Sequence, residues 1–262
     1  MYVNPTQFLV PIVAIVVGVV PALYVRGRPR LLGLAALAYF VAIGAKVAVE
    51  LLFPSLFDSP SVLTYLAFGA LTFVFEVGFA YLFLLPIWNS ERNPDLHAGW
   101  TYGVYLALYE NAVLLGLLPI LSLVAVSFSN VQLTAGDPYS ANVLSLAAPY
   151  ALERAVSLIG HATWGLIAYV AVWRRKAWNL LPLIPLCLID SIAAWWDFTH
   201  ALSYLALLGL LLVYTVGTAY LALRLVGLWP KAIGAIRRPS AAKALVRPPS
   251  PPGLVDRSGS AP

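Results

Sequence analysis

Residues 153–173 read ERAVSLIGHATWGLIAYVAVW, and the next three are Arg174, Arg175 and Lys176. A helix needs about 20 apolar residues to cross a bilayer, and this stretch meets that length before it stops at a basic triplet. It nevertheless carries Glu153, Arg154 and His161. Ionisable groups in hydrocarbon cost several kcal/mol each, so they face a bundle interior or a water-filled cavity and mark a functional site. The stretch therefore predicts a membrane helix built around a polar site.

The rest of the chain agrees. Of its 262 residues, 61% are hydrophobic and 10% charged, with mean hydropathy +0.85. A soluble domain carries about a quarter charged residues. The alternating ten-residue segments of a transmembrane barrel do not occur. The fold class expected is all-α, a polytopic bundle of seven transmembrane helices at 6–25, 31–52, 62–88, 100–128, 145–173, 178–198 and 201–228.

Lys and Arg fall on alternate connections: RGRPR at 26–30, the 89–99 loop with Arg92, the 174–176 triplet, and a tail with Lys231, Arg237 and Arg238. The positive-inside rule then sets the N-terminus outside and the C-terminus inside. No basic residue precedes the first span, the reverse of a cleavable signal peptide, so it reads as a retained helix. Residues 1–229 form the transmembrane domain. Residues 230–262, rich in Pro, Ser and basic residues, read as a disordered cytoplasmic tail without a core. The expected setting is the cell membrane, as a multi-pass protein, with the lipid bilayer as main partner. The net charge of +5 sits beside apolar segments and sets topology, so it is not a nucleic-acid signal. The single cysteine, Cys187, excludes an intrachain disulfide and reads as a packing residue.

Counting from the inner end of each span places Glu76, Glu110, His161 and Asp190 at one depth, roughly 15–18 Å in, near the midplane. Each lies on a different helix, which predicts one shared site. A second, outer layer holds Lys46, Glu50, Glu153, Arg154 and Asp197. There Lys46 and Glu50, at i,i+4, can pair with each other. Arg154 needs an acid from Asp197, Glu50 or Glu153. Glu153, Ser157 and His161 follow at i+4 steps, so Glu153 can reach toward His161 through a water. His97 and His200 are expected in solvated or interfacial positions, and Asn111 can donate a hydrogen bond into the site.

Three carboxylates and an imidazole can hold a hard or borderline divalent metal, relay protons, or pin helices together by hydrogen bonds of about 1 kcal/mol. Spacing alone leaves these open.

The motifs FEVGFAY at 75–81, LALYENAVL at 106–114, ERAVSLIGHATWGLIAY at 153–169 and LCLID at 186–190 resemble the YhfC family of intramembrane metalloproteases. In that family's pattern, Glu-Glu-x-x-x-Arg is followed by His-Gly-x-x-Glu, then Glu-Arg with a His eight residues after the Glu, then His-x-x-x-Asp or Asn. The resemblance covers about 75–197. It implies metal-dependent peptide hydrolysis, with zinc as the metal and a membrane-embedded peptide or protein as substrate. Catalytic roles would fall to Glu76, Glu110 and Glu153, and metal ligation to His161, Glu76, Glu110 and Asp190. Val77, Ala80, Leu106 and Leu186 stand where the pattern has Glu, Arg, His and His. A divergent member without peptidase activity, a membrane scaffold that kept the polar core for packing, and a proton-coupled transporter are the alternatives. The transporter ranks last, because no internal repeat is seen.

Overall fold

The computed structural model describes residues 5–25, 28–90, 95–128 and 147–236, and the regular structure among them is helical, with no strand. Six helices are long and apolar enough to cross a membrane: α2 (Pro29–Leu52), α3 (Val62–Ile87), α4 (Leu96–Ala125), α5 (Ala147–Arg174), α6 (Ala177–Thr199) and α7 (Tyr204–Leu225). The first expected span is shorter. Helix α1 (Leu9–Tyr24) has 16 residues, about 24 Å at 1.5 Å per residue. Much of the 89–99 and 129–144 connections and the tail beyond Ile236 lie outside the described residues.

Helix α5 is the centre. In its most apolar window 78% of residues are buried inside the protein, against 22–33% for the other five long helices. It packs on α1, α3, α4 and α7. This is why it tolerates Glu153, Arg154 and His161, whereas α2 and α7 present Val47, Val213, Leu205 and Leu221 outward. So much exposed aliphatic surface suits lipid, not water.

Small residues set the closest crossing. A Cβ on Gly165 of α5 would lie 2.3 Å from the Gly103 backbone of α4. One on Gly103 would lie 2.4 Å from the His161 carbonyl oxygen. Only glycine allows the two backbones this near, and the contact brings the His161 turn against α4. Gly69 does the same on the other side: a Cβ there would meet Ser191 Oγ at 2.4 Å, so α3 and α6 approach beside Asp190.

Three helices depart from regular α geometry around the site. Helix α3 is π-helical over Thr72–Val77, which contains Glu76. Helix α4 is π-helical over Tyr109–Leu117, which contains Glu110. Helix α6 opens as a 3₁₀ segment, Ala177–Leu183, continues through Ile184–Cys187, breaks at Leu188 and resumes at Ile189. Pro182 and Pro185 supply no amide hydrogen there and account for the irregular start. The break puts Asp190 in the first turn of the resumed helix. π-segments inside α-helices recur at functional sites.

The basic connections gather at one end of the bundle. Arg28 pairs with Asp95, Arg30 donates to the Pro86 carbonyl at 3.2 Å, and Arg174 donates to the Val226 carbonyl at 2.7 Å. The short helix α8 (Lys231–Ile236) docks at this end, where Trp100 Nε1 donates to the Ala232 carbonyl at 3.0 Å. Regular structure thus continues past 229, into the first residues of the expected tail. At the opposite end Ser61 and Ser203 cap α3 and α7 through their hydroxyls.

Candidate functional site

Three of the four candidate residues meet directly, at His161, and Asp190 joins them through Lys46. His161 Nε2 lies 3.1 Å from Glu110 Oε2 and 3.5 Å from Glu76 Oε2. Glu76 Oε1 accepts from Lys46 Nζ at 2.6 Å, and the same ammonium reaches Asp190 Oδ2 at 3.1 Å and Thr72 Oγ1 at 3.0 Å. Thr72 donates to Asp190. On the other side Arg154 Nη1 donates to Glu110 Oε1 at 2.9 Å, Arg154 Nη2 to Glu153, and the Tyr204 hydroxyl to Glu153. The result is one unbroken chain in which anions are separated by cations or by the imidazole: Asp190, Lys46, Glu76, His161, Glu110, Arg154, Glu153, Tyr204. It lines a cavity of about 390 Å³ whose walls also include Trp164, Trp196 and Asp197.

This arrangement corrects several sequence expectations. Lys46 does not turn to Glu50. Its four-carbon stem carries the ammonium across to α3 and α6, where two carboxylates and a hydroxyl exceed what one exposed i,i+4 pair provides. Arg154 takes Glu153, as one option foresaw, and also Glu110. Glu153 is turned away from His161 toward Arg154 and Tyr204. Glu110 and Ser157 fill the place beside the imidazole: Ser157 Oγ donates to Glu110 Oε1 at 3.0 Å. Asp190 joins the chain through Lys46 and Thr72 and is not gathered onto His161. Asn111 donates to the Arg154 carbonyl at 3.4 Å and so ties α4 to the α5 backbone rather than serving the site. His97 is buried at the start of α4, whereas His200 is exposed as expected. Cys187 is fully buried, as a packing residue should be.

One residue of the chain, Tyr204, is not among the sequence candidates, and Lys46 is read from the sequence only as a partner of Glu50. Lys46 carried a signal: a lysine inside an apolar span requires a counterion at its depth, and Glu76 and Asp190 were available. Nothing in the sequence distinguishes Tyr204 from other tyrosines near span ends.

The imidazole decides what the chain can do. His161 is 3% exposed and packs against Trp164 with ring centroids 4.4 Å apart and the rings tilted by 54°. Its Nδ1 lies 3.0 Å from the Ser157 carbonyl oxygen. A carbonyl only accepts, so Nδ1 carries the proton. The other nitrogen, Nε2, is buried, faces two carboxylate oxygens, and makes no contact of hydrogen-bond geometry. A neutral ring would point a lone pair at two anions. The gap calls for a positive charge, either a proton shared between Nε2 and a carboxylate or a metal ion.

The charges give the same answer. Glu76, Glu110, Glu153 and Asp190 stand against Lys46 and Arg154 alone. Two negative charges are left over in a low-dielectric setting, and a divalent cation or two protons would balance them. The donor set of one imidazole nitrogen and two carboxylate oxygens, with the second ring nitrogen held by a backbone carbonyl, has the chemistry of a divalent site. Among the described residues, however, no three His, Cys, Asp or Glu groups are closed around a common point as metal ligands. His161 with Glu110 and His161 with Glu76 form two edges, and side-chain movement of the glutamates would have to close the third.

No protein-family model, no curated protein and no solved structure matches the chain.

Leu106 and Leu186, the positions where the resemblance would put histidines, are buried in the apolar core at 3% and 0% exposure. Neither lines the cavity. The site therefore has a single imidazole, His161.

Proposed function

We propose that this chain is a seven-span intramembrane protein of the YhfC type, with a divalent-metal site at the bilayer midplane that hydrolyses a peptide bond of a membrane-embedded substrate. Helix α1, extended by the Pro5–Phe8 turn, is the seventh span. The face that gathers the basic connections is cytoplasmic, which puts the N-terminus outside and the C-terminus inside. The cell membrane is the location.

The observation that carries the proposal is His161 Nε2, buried and without a hydrogen bond between two carboxylates. His161, Glu76 and Glu110 would hold the ion, with zinc the metal suggested by the resemblance. When bound, such an ion polarises a carbonyl and acidifies water. The chain's own residues do the rest. Ser157 fixes the His161 tautomer through its carbonyl and holds Glu110 through its hydroxyl. Lys46 and Arg154 occupy the outer oxygens of Glu76 and Glu110, leaving one oxygen of each facing the imidazole. Glu110, at 18% side-chain exposure, is more open to the cavity than Glu76 at 9%, and so is the better placed to exchange a proton with water. The test is whether purified protein carries a divalent ion that is lost with His161→Ala.

The break of α6 beside Asp190 favours a second reading. Discontinuous helices at midplane acids occur in transporters, and the alternating chain can also carry protons. In that case protons, not metal, balance the excess charge.

A further inference from the structure

The charged cavity is closed at one end and open at the other. Side-chain exposure in its wall is lowest at His161, 4%, and higher at Glu110, 18%, Glu153, 27%, and Asp190, 36%. Asp197, also in its wall, is exposed at the end of α6. In the opposite direction, between the site and the Arg174–Lys176 connection, the helices carry Leu84, Tyr102, Leu166, Ile167, Leu183 and Leu186, all at 0% exposure. That plug spans α3, α4, α5 and α6 between the site and the basic end.

The open part is also negative. Glu76, Glu110, Glu153, Asp190 and Asp197 line the cavity against Lys46 and Arg154. A cleft of one sign with low-dielectric walls concentrates counter-ions and speeds their entry.

We infer that the cavity is a one-sided, cation-selective vestibule, through which water and small cations reach the midplane from the α6–α7 turn and from that end only. This holds whether the site binds a metal or passes protons, so it stands or falls apart from the hydrolytic reading.

The single cysteine makes a direct test available. In the full chain with Cys187→Ala, Ala193→Cys places one thiol on the cavity wall. Trp178→Cys, where the native side chain is 65% exposed at the basic end, marks the opposite face. Membrane vesicles of both orientations are treated with two membrane-impermeant methanethiosulfonates, one bearing trimethylammonium and one bearing sulfonate. Each rate is divided by that reagent's rate with a small free thiol. The expected result is modification of Ala193→Cys from the face opposite to the one that modifies Trp178→Cys, with the cationic reagent faster by about tenfold. Modification from the Trp178 face, no modification from either face, or equal corrected rates would overturn the inference. Leu211→Cys, on the α7 wall of the same cavity, gives the same readout if Ala193→Cys does not accumulate.

Discussion

His161 Nε2 and Glu110 Oε2 lie 3.1 Å apart although they belong to different helices, α5 and α4. The contact exists because Gly103 and Gly165 let those helices touch backbone to backbone and because the π-segment at Tyr109–Leu117 carries Glu110. Two kinds of local structure, a glycine crossing and a π-segment, therefore converge on one pair of atoms. Gly165→Leu should break the convergence. Its side chain has no room against the Gly103 backbone, so we expect a loss of at least about 3 kcal/mol, the upper range for overpacking. Thermal unfolding in detergent measures it. Gly217→Leu on α7, where a Cβ meets nothing within 4 Å, should lose no more than the wild-type protein does between repeat preparations.

Lys46 offers a second prediction. Removing one partner from a buried ion pair costs about 3–5 kcal/mol, because the remaining charge is stranded. Lys46→Met leaves Glu76 without its ammonium, and both side chains are little exposed, at 13% and 9%. It should destabilise the protein by about that amount. Adding Glu76→Gln should restore part of the loss, since the stranded charge goes with it. A double-mutant cycle that shows plain additivity would contradict the pairing.

Arg154 and Glu110 form the corresponding pair on the far side of the imidazole, at 10% and 18% exposure. Arg154→Met should cost about 3 kcal/mol, whereas Tyr204→Phe, which removes one hydrogen bond to Glu153, should cost about 1–2 kcal/mol. Unfolding midpoints in denaturant rank the two. Equal losses would mean that the chain does not run through Arg154.

Leu106→His tests the departure from the YhfC pattern. The substitution should not bring a second imidazole into the site, because Leu106 lies in the apolar core and not in the cavity wall. We expect lower stability, by about 2 kcal/mol or more for a buried polar group without a partner, and no gain in metal content. A rise in bound metal would show that the pattern's geometry survives at this position.

How much of this was legible in the sequence follows from the kind of signal involved. The helical bundle was, because apolar length and basic flanks are one-dimensional properties. So was the meeting of His161 with Glu76 and with Glu110, because charges in a low-dielectric medium have few places to face. Lys46 was misplaced because its i,i+4 neighbour Glu50 offered a local partner, and sequence spacing cannot show how far a long side chain reaches across to another helix. The π-segments at Glu76 and Glu110 were not visible either. They shift register by a single residue, and an all-apolar helix has no polar face from which that shift can be read. The shortness of α1 lay within the usual uncertainty of span ends.

The central claim is that the cation required by His161 Nε2 is a divalent metal. Metal analysis of the purified full-length protein, beside His161→Ala and Glu76→Gln, tests it most directly. The account predicts about one divalent ion per chain in the wild type and loss of that ion in both variants, each still folded by its circular dichroism. A wild-type protein that stays metal-free after incubation with zinc, while all three proteins remain folded, would contradict it and leave protons as the charge that holds the site together.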